Sequence, residues 1–344
     1  MQQPLPRKLL SLPTAPNELT VRPYSSRVEG ESMSVEELIV AKPRGFCAGV
    51  EMAVDTVEQA LKQHGAPIYV FHEIVHNQYV VRDLTGRGVH FVQSIDEVPM
   101  GAKLIFSAHG ISPTVWREAK ERGMQLIVDA TCPLVEKVHR EVRKFAAQGY
   151  WIVLVGHEQH DEIVGTSGEA PERVRIVATI EDAKQLVIPD SEKVAVLTQT
   201  TLSVDDTYEV IEILKQKFPK LVMPAKGDIC YATQNRQDAV KALAGEVDLL
   251  LVIGSRNSEN SNQLRKVAES RGVRAYLIDD YRSIDPRWLD GVKRVGLTSG
   301  ASVPEDLVES AVDFFSRQGA KVSQLGFAEE NIHFALPTEI RPPP

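Results

Sequence analysis

Apolar positions recur along three stretches with the i, i+3, i+4, i+7 spacing that buries one stripe of a helix. Val50, Ala53, Val54, Val57, Ala60 and Leu61 form the first. Val135, Val138, Val142, Phe145 and Ala146 form the second, and Val240, Leu243, Ala244 and Val247 the third. An unbroken apolar run follows each one: Ile68 to Phe71, Trp151 to Val155, and Leu249 to Ile253. Such runs suit parallel strands covered on both faces. Each run ends in a polar loop, at 72–76, 156–160 and 254–258. A second strand and a short helix come next, opening near Ser94, Thr179 and Ser283. A third strand, around Leu104, Val194 and Val295, again ends in a polar loop. A further helix then begins with Ser112, Ser203 and Ser302 as candidate N-caps. Ser302 and Glu305 spell a capping box ahead of an apolar run.

The chain therefore carries an internal repeat. It divides into α/β units over 35–131, 132–229 and 230–320, with a C-terminal segment and tail over 321–344. Prolines at 4, 6, 13, 16 and 23 interrupt residues 1–34, which read as a disordered arm. Alternating strands and helices predict parallel sheets flanked by helices. The expected fold is α/β, with three units related by pseudo-threefold symmetry in a trefoil-like arrangement about a common centre.

Composition narrows the function. Of 344 residues, 43% are apolar and 25% charged, as in ordinary globular proteins. The net charge of −8 argues against a nucleic-acid partner, which needs a basic face. No apolar run approaches the roughly 20 residues of a membrane span. Only Cys47, Cys132 and Cys230 are cysteines, too few and too scattered for a disulfide framework, so a cytoplasmic, reducing location is expected.

The repeat changes what those cysteines mean. One stands in each unit, just before the first helix. Polar side chains recur 28 to 30 residues later, at His76, His160 and Asn260, and again at His109, Thr200 and Ser302. These positions fall in loops at the C-terminal ends of strands, where α/β proteins place their sites. Read singly, three thiols are buried structural residues. Read as a converging set, they are metal ligands: helix N-termini favour thiolates, and thiolates select zinc or iron–sulfur clusters. Structural zinc sites draw their ligands from local pairs, which are absent here. Four-iron clusters normally take four cysteines, so three would leave one iron open to act as a Lewis acid.

Other residues carry alternatives. His72-Glu73-Ile74-Val75-His76 matches the H-E-x-x-H string of zinc hydrolases, which works only on a helix. Here it follows a strand directly, and His72 reads as structural. His76 fits a core histidine or a ligand equally. Glu162 reads either as a solvated loop carboxylate or, if burial raises its pKa, as a general acid. Ser258, Asn260, Ser261 and Asn262 read as a loop and cap or as ligands.

Several segments together resemble one family. Pro43-Arg44-Gly45-Phe46-Cys47-Ala48-Gly49-Val50, Ser107-Ala108-His109-Gly110, Asp129-Ala130-Thr131-Cys132-Pro133, Thr198-Gln199-Thr200-Thr201-Leu202-Ser203 and Asp228-Ile229-Cys230-Tyr231-Ala232-Thr233 are similar to the LytB-type 4-hydroxy-3-methylbut-2-enyl diphosphate reductases. The similarity runs from about 36 to 340. It implies an iron–sulfur oxidoreductase of non-mevalonate isoprenoid synthesis. Its one 4Fe–4S cluster would be held centrally by Cys47, Cys132 and Cys230. The open iron would take the hydroxyl of an allylic diphosphate. Two electrons, from a donor such as ferredoxin or flavodoxin, and two protons would then remove it as water.

The resemblance casts Glu162 as proton donor with Thr200 beside it, and places His160 near the hydroxyl and diphosphate. His76, His109, Ser258, Asn260 and Ser302 match the diphosphate contacts. Glu259 stands where many members have a second serine, and its side chain is expected to point away from the anion. The competing readings are a non-catalytic iron–sulfur sensor or diphosphate-binding protein on the same scaffold, and a zinc hydrolase through His72 and His76.

Overall fold

The computed structural model describes residues 35–341. The expected N-terminal arm and the last three residues of the tail lie outside them. In chain order the strands are β1 (Glu37–Lys42), β2 (Ile68–Phe71), β3 (Val89–Val92), β4 (Lys103–Phe106), β5 (Leu126–Asp129), β6 (Trp151–Val155), β7 (Val174–Val177), β8 (Val194–Thr198), β9 (Leu249–Ile253), β10 (Arg274–Ile278), β11 (Arg294–Ser299) and β12 (Lys321–Gly326). The α-helices are α1 (Ala48–His64), α2 (Gln78–Gly86), α3 (Pro113–Glu121), α4 (Pro133–Ala147), α5 (Asp161–Ser167), α6 (Ile180–Gln185), α7 (Val204–Lys217), α8 (Tyr231–Ala244), α9 (Glu259–Ser270) and α10 (Glu305–Arg317).

The strands form three sheets, ordered β3-β2-β4-β5, β7-β6-β8 and β10-β9-β11-β1-β12. Every strand pairing in them is parallel. The side-chain period of two explains why the strands read as solid apolar runs. In β2, Ile68 and Val70 pack under α1 with Ala53, Val57 and Ala60, while Phe71 faces Ala119 of α3. In β6, Ile152 and Leu154 meet Val138 and Val142 of α4, and Val153 and Val155 meet Val210 and Leu214 of α7. In β9, Leu250 and Val252 meet Val240 and Leu243 of α8, and Leu249 and Leu251 share a core with Val308 and Phe315 of α10. The helix that follows each cysteine thus covers one face of a sheet, and a later helix of the same unit covers the other.

The unit boundaries differ from the sequence reading at two places. Strand β1, assigned to the first unit, lies in the third sheet between β11 and β12. Strand β12, assigned to the C-terminal segment, completes that sheet. The physical reason is that an apolar strand states how deeply it is buried, not which parallel neighbours it takes. The consequence is a closed ring: each cysteine leaves one sheet and starts the helix that leads into the next. Cys47 follows β1 and Cys132 follows β5. Cys230 follows a single bridge residue, Val222, paired with Ala195 of the second sheet.

Candidate active site

The three cysteine loops are held alike. The backbone N–H of Cys47 donates to Ala301 O at 3.1 Å, that of Cys132 to Ala108 O at 3.0 Å, and that of Cys230 to Thr200 O at 3.0 Å. Each acceptor lies in the loop after the third strand of a unit, so equivalent bonds bring the cysteines to one place. Each cysteine is the N-cap of its helix, α1, α4 or α8. The Cys47 loop is further clamped: Gly45, in the left-handed region at φ 72, donates its N–H to Ser299 Oγ at 2.9 Å. The fully buried Arg236 of α8 reaches Gly45 O at 2.8 Å and Glu330 at 3.1 Å.

All three thiols line one cavity. They are free, and close enough to influence one another's ionisation. The Cα of Gly49 approaches Cys132 so closely that a Cβ there would meet its Sγ at 2.5 Å. Burial pushes the Cys132 thiol up to about 12 and the Cys230 thiol up to about 11, and the neighbouring thiols add to both shifts. For Cys132 and Cys230, the acidifying effect expected of a helix N-terminus is therefore outweighed by desolvation. Three crowded thiols suit a cationic centre that binds their sulfurs and releases the protons to solvent.

Glu162, on α5, faces the thiols across the same cavity and is only 2% exposed. It is not a solvated loop carboxylate. Its Oε1 accepts the Thr200 N–H at 2.7 Å and its Oε2 accepts the Thr200 hydroxyl at 2.9 Å. Burial raises its pKa to about 7 against the opposing effect of those two bonds. A carboxyl whose pKa is raised toward neutrality can hold a proton at the pH where it must give one up, which suits a general acid.

Beside Glu162 stands a triangle of imidazoles. His76 and His109 stack with ring centroids 4.0 Å apart, and His160 packs edge-on to both at 5.2 and 5.9 Å. His160 caps α5, its Nδ1 accepting the Glu162 N–H at 3.2 Å. Burial and the nearby His76 depress His160 to about 4, and burial with the other histidines holds His109 well below its usual value. Both are neutral donors and acceptors at pH 7.

The third unit closes the cavity. Ser258 caps α9 and is tied to Ser261, so the cap reading and the cavity position coexist. Asn260 accepts the Ala301 N–H at 2.9 Å and donates to Thr233 Oγ1 at 3.4 Å. Ser302 does not form the expected capping box. Pro304 is the N-cap of α10, Glu305 pairs with Arg44 at 2.6 Å, and the Ser302 hydroxyl instead donates to His76 O at 3.1 Å. Proline at 304 starts the helix two residues later than the S-x-x-E pattern suggests, leaving Ser302 at the cavity wall. The Glu259 carboxylate accepts from Gln263 and lies 3.9 Å from His157 Nδ1.

The three cysteines, His76, His109, His160, Glu162, Thr200, Ser258, Asn260 and Ser302 thus border this one cavity, whereas His72, Ser261 and Asn262, also weighed as ligands, do not line it. The H-E-x-x-H string does not form its zinc-hydrolase geometry, because residues 72–76 are non-helical. Two residues were not singled out for the site. Thr233 sits 3.2 Å from Cys230 Sγ and relays to Asn260, a contact available to the third residue of any helix capped by a cysteine. Asp161 precedes Glu162 and pairs with His72 at 2.9 Å; its place beside the histidines was visible only once two units were brought together.

Comparison with known proteins shows the family. The family model described as LytB protein matches residues 38–316. The chain is 54% identical to a 4-hydroxy-3-methylbut-2-enyl diphosphate reductase of Mycolicibacterium gilvum, covering 91% of this chain and 94% of that one. It is also 54% identical to the protein of the same description from Bordetella pertussis, over 88% and 93%. Among solved structures, the E-1-hydroxy-2-methyl-but-2-enyl-4-diphosphate reductase of Plasmodium falciparum superposes with a TM-score of 0.86 at 39% identity, covering 89% of this chain and 97% of that one. No helix among the described residues is long and apolar enough to cross a membrane.

Proposed function

The chain belongs to the LytB family, and from that membership we propose that it reduces 4-hydroxy-3-methylbut-2-enyl diphosphate to isopentenyl and dimethylallyl diphosphate, the last step of the non-mevalonate isoprenoid pathway. The observation that carries this reading is the meeting of three thiols, one buried carboxyl and three imidazoles in a single cavity. Cys47, Cys132 and Cys230 would hold one 4Fe–4S cluster; their all-sulfur donor set and the close pass of Gly49 fit such a group. When bound, the cluster supplies two electrons and one iron open to the substrate's hydroxyl oxygen. A small electron carrier such as ferredoxin or flavodoxin would replenish those electrons.

The chain's own residues deliver the proton that leaves with the hydroxyl as water and hold the anion; the second proton, added to carbon, is taken from solvent. In the protonated acid Oε1 still accepts the fixed Thr200 N–H, so the proton sits on Oε2 and the hydroxyl contact reverses, with the rotatable Thr200 hydroxyl turning from donor to acceptor. From Oε2 it is donated to Thr200 Oγ1, whose own proton then turns into the cavity toward the departing hydroxyl. Thr200 therefore orients the acid and relays its proton. The low exposure of Glu162 keeps bulk water from competing for that proton. The diphosphate is held by His76, His109, His160, Ser258, Asn260 and Ser302, a largely neutral donor set that reconciles anion binding with a net charge of −8. Turnover of the allylic diphosphate with dithionite under anaerobic conditions tests the reading: both C5 diphosphates are expected, and an intact iron-loaded protein that yields neither would refute it.

Two further outcomes follow from the cavity. An anion beside neutral imidazoles favours their charged form, so diphosphate binding draws His109 and His160 toward protonation and takes up protons. Binding therefore weakens as pH rises. Calorimetry with inorganic diphosphate in buffers of differing ionisation heat is expected to show that uptake, and a heat independent of buffer would exclude it. Gly49→Ala places a methyl 2.5 Å from Cys132 Sγ and displaces the thiol. A shift of about 1 Å costs on the order of 100-fold in turnover. Iron content and rate should fall together; wild-type values for both would show that the close approach has no bearing on the cluster.

A further inference from the structure

A carboxylate beside the cavity's histidines is the wrong sign for an anion site. Asp161 lies beside the histidine triangle, its Oδ2 3.9 Å from His76 Nε2. Its other oxygen, Oδ1, is held by His72 Nδ1 at 2.9 Å. His72 adopts φ 59, a left-handed conformation that side chains rarely take, and that backbone turn aims its ring at Asp161. His109 turns Nδ1 to Ser107 Oγ at 3.3 Å, which leaves Nε2 as its free donor. Ligand atoms of His76, His109 and Asp161 all lie within 4.8 Å of one another.

We propose that His76, His109 and Asp161 form a binding site for a divalent transition-metal ion of the zinc class, occupied in the substrate-free protein and exclusive of the diphosphate. Two imidazoles and one carboxylate are a three-ligand set of the kind zinc takes with an open fourth position. Donors about 2.1 Å from one ion stand about 3.4 Å apart, so the three need to close by little more than 1 Å. Mixed nitrogen and oxygen donors select zinc-class ions over magnesium or calcium, which prefer oxygen throughout. His72 supplies the outer contact that orients the ligating carboxylate. The site is built from the leftover pieces of the H-E-x-x-H string, but across two units rather than along a helix. Exclusion of the diphosphate follows because the ion occupies the same ring nitrogens; that part alone rests on the proposed substrate reading.

The test is calorimetric titration of zinc chloride into the anaerobic, cluster-loaded protein in a non-chelating buffer, beside the Asp161→Asn and His72→Gln variants. One binding event is expected, weakened about 10- to 100-fold in His72→Gln and at least as much in Asp161→Asn. Carbethoxylation of the wild-type histidines, mapped by peptide mass spectrometry, gives a second readout that needs no variant to fold. One equivalent of zinc is expected to slow modification of His76 and His109 about tenfold and leave exposed His333 unaffected. Because it reads histidines alone, it is independent of what the thiols hold. Absence of binding, equal affinity in wild type and Asp161→Asn, or unprotected His76 and His109 would overturn the proposal.

Discussion

Cys132→Ser protein, prepared without oxygen, is expected to lose most of its iron and all measurable turnover while keeping its secondary structure. Cys132 is tightly held: Gly49 of α1 presses on it, and its backbone is fixed to Ala108 O at 3.0 Å. A serine there fits sterically and preserves the N-cap of α4, since hydroxyls are good caps. The fold should therefore survive, as circular dichroism can check. What is lost is the soft thiolate, and an alcohol has neither the acidity nor the polarisability to replace it. The two remaining thiols stand on helices from different sheets, and a cluster on two protein ligands is exposed to loss and oxidation. Full iron and full activity in this variant would sink the ligand assignment.

Glu162→Gln is expected to do the opposite: iron content unchanged, turnover reduced by about 100- to 10,000-fold, the range of a lost general acid. Glutamine keeps the geometry, because its carbonyl can accept the Thr200 N–H now taken by Oε1, and its amide can meet Thr200 Oγ1. Only the transferable proton is gone. The pH profile gives the same prediction in a second form. With the wild-type carboxyl raised to about 7 by burial, its proton is present below that value and lost above it. The wild-type rate therefore falls as pH climbs through about 7, and the Gln variant lacks that limb. An active Gln variant, or the same limb in both proteins, would remove Glu162 from the role.

Much of this site was legible in the sequence because the repeat is local. A helical stripe, an apolar strand and a polar loop recur in register, so Cys47, Cys132 and Cys230 occupy equivalent places, as do His76, His160 and Asn260. Equivalent places in equivalent units converge once the ring closes. Non-local features were not legible. Strand β1 reads as an apolar run whichever sheet receives it, and only the structure shows it between β11 and β12. The capping-box pattern at Ser302 is sound local chemistry, overridden by Pro304 and by a hydrogen bond to His76 in another unit. The ionisation of Cys132 and Cys230 depends on how much protein surrounds them, which a helix-start argument does not contain. The pairing of Asp161 with His72 joins two units that no spacing rule connects.

The central claim is that three cysteines, one from each junction of the ring, hold a single iron–sulfur cluster with one iron open to substrate. Iron and acid-labile sulfide analysis of the anaerobically purified protein tests it most directly. The account predicts about four irons and about four sulfides per chain. Zinc without sulfide at the three thiols, or a protein that takes up neither iron nor sulfide on anaerobic reconstitution, would contradict it.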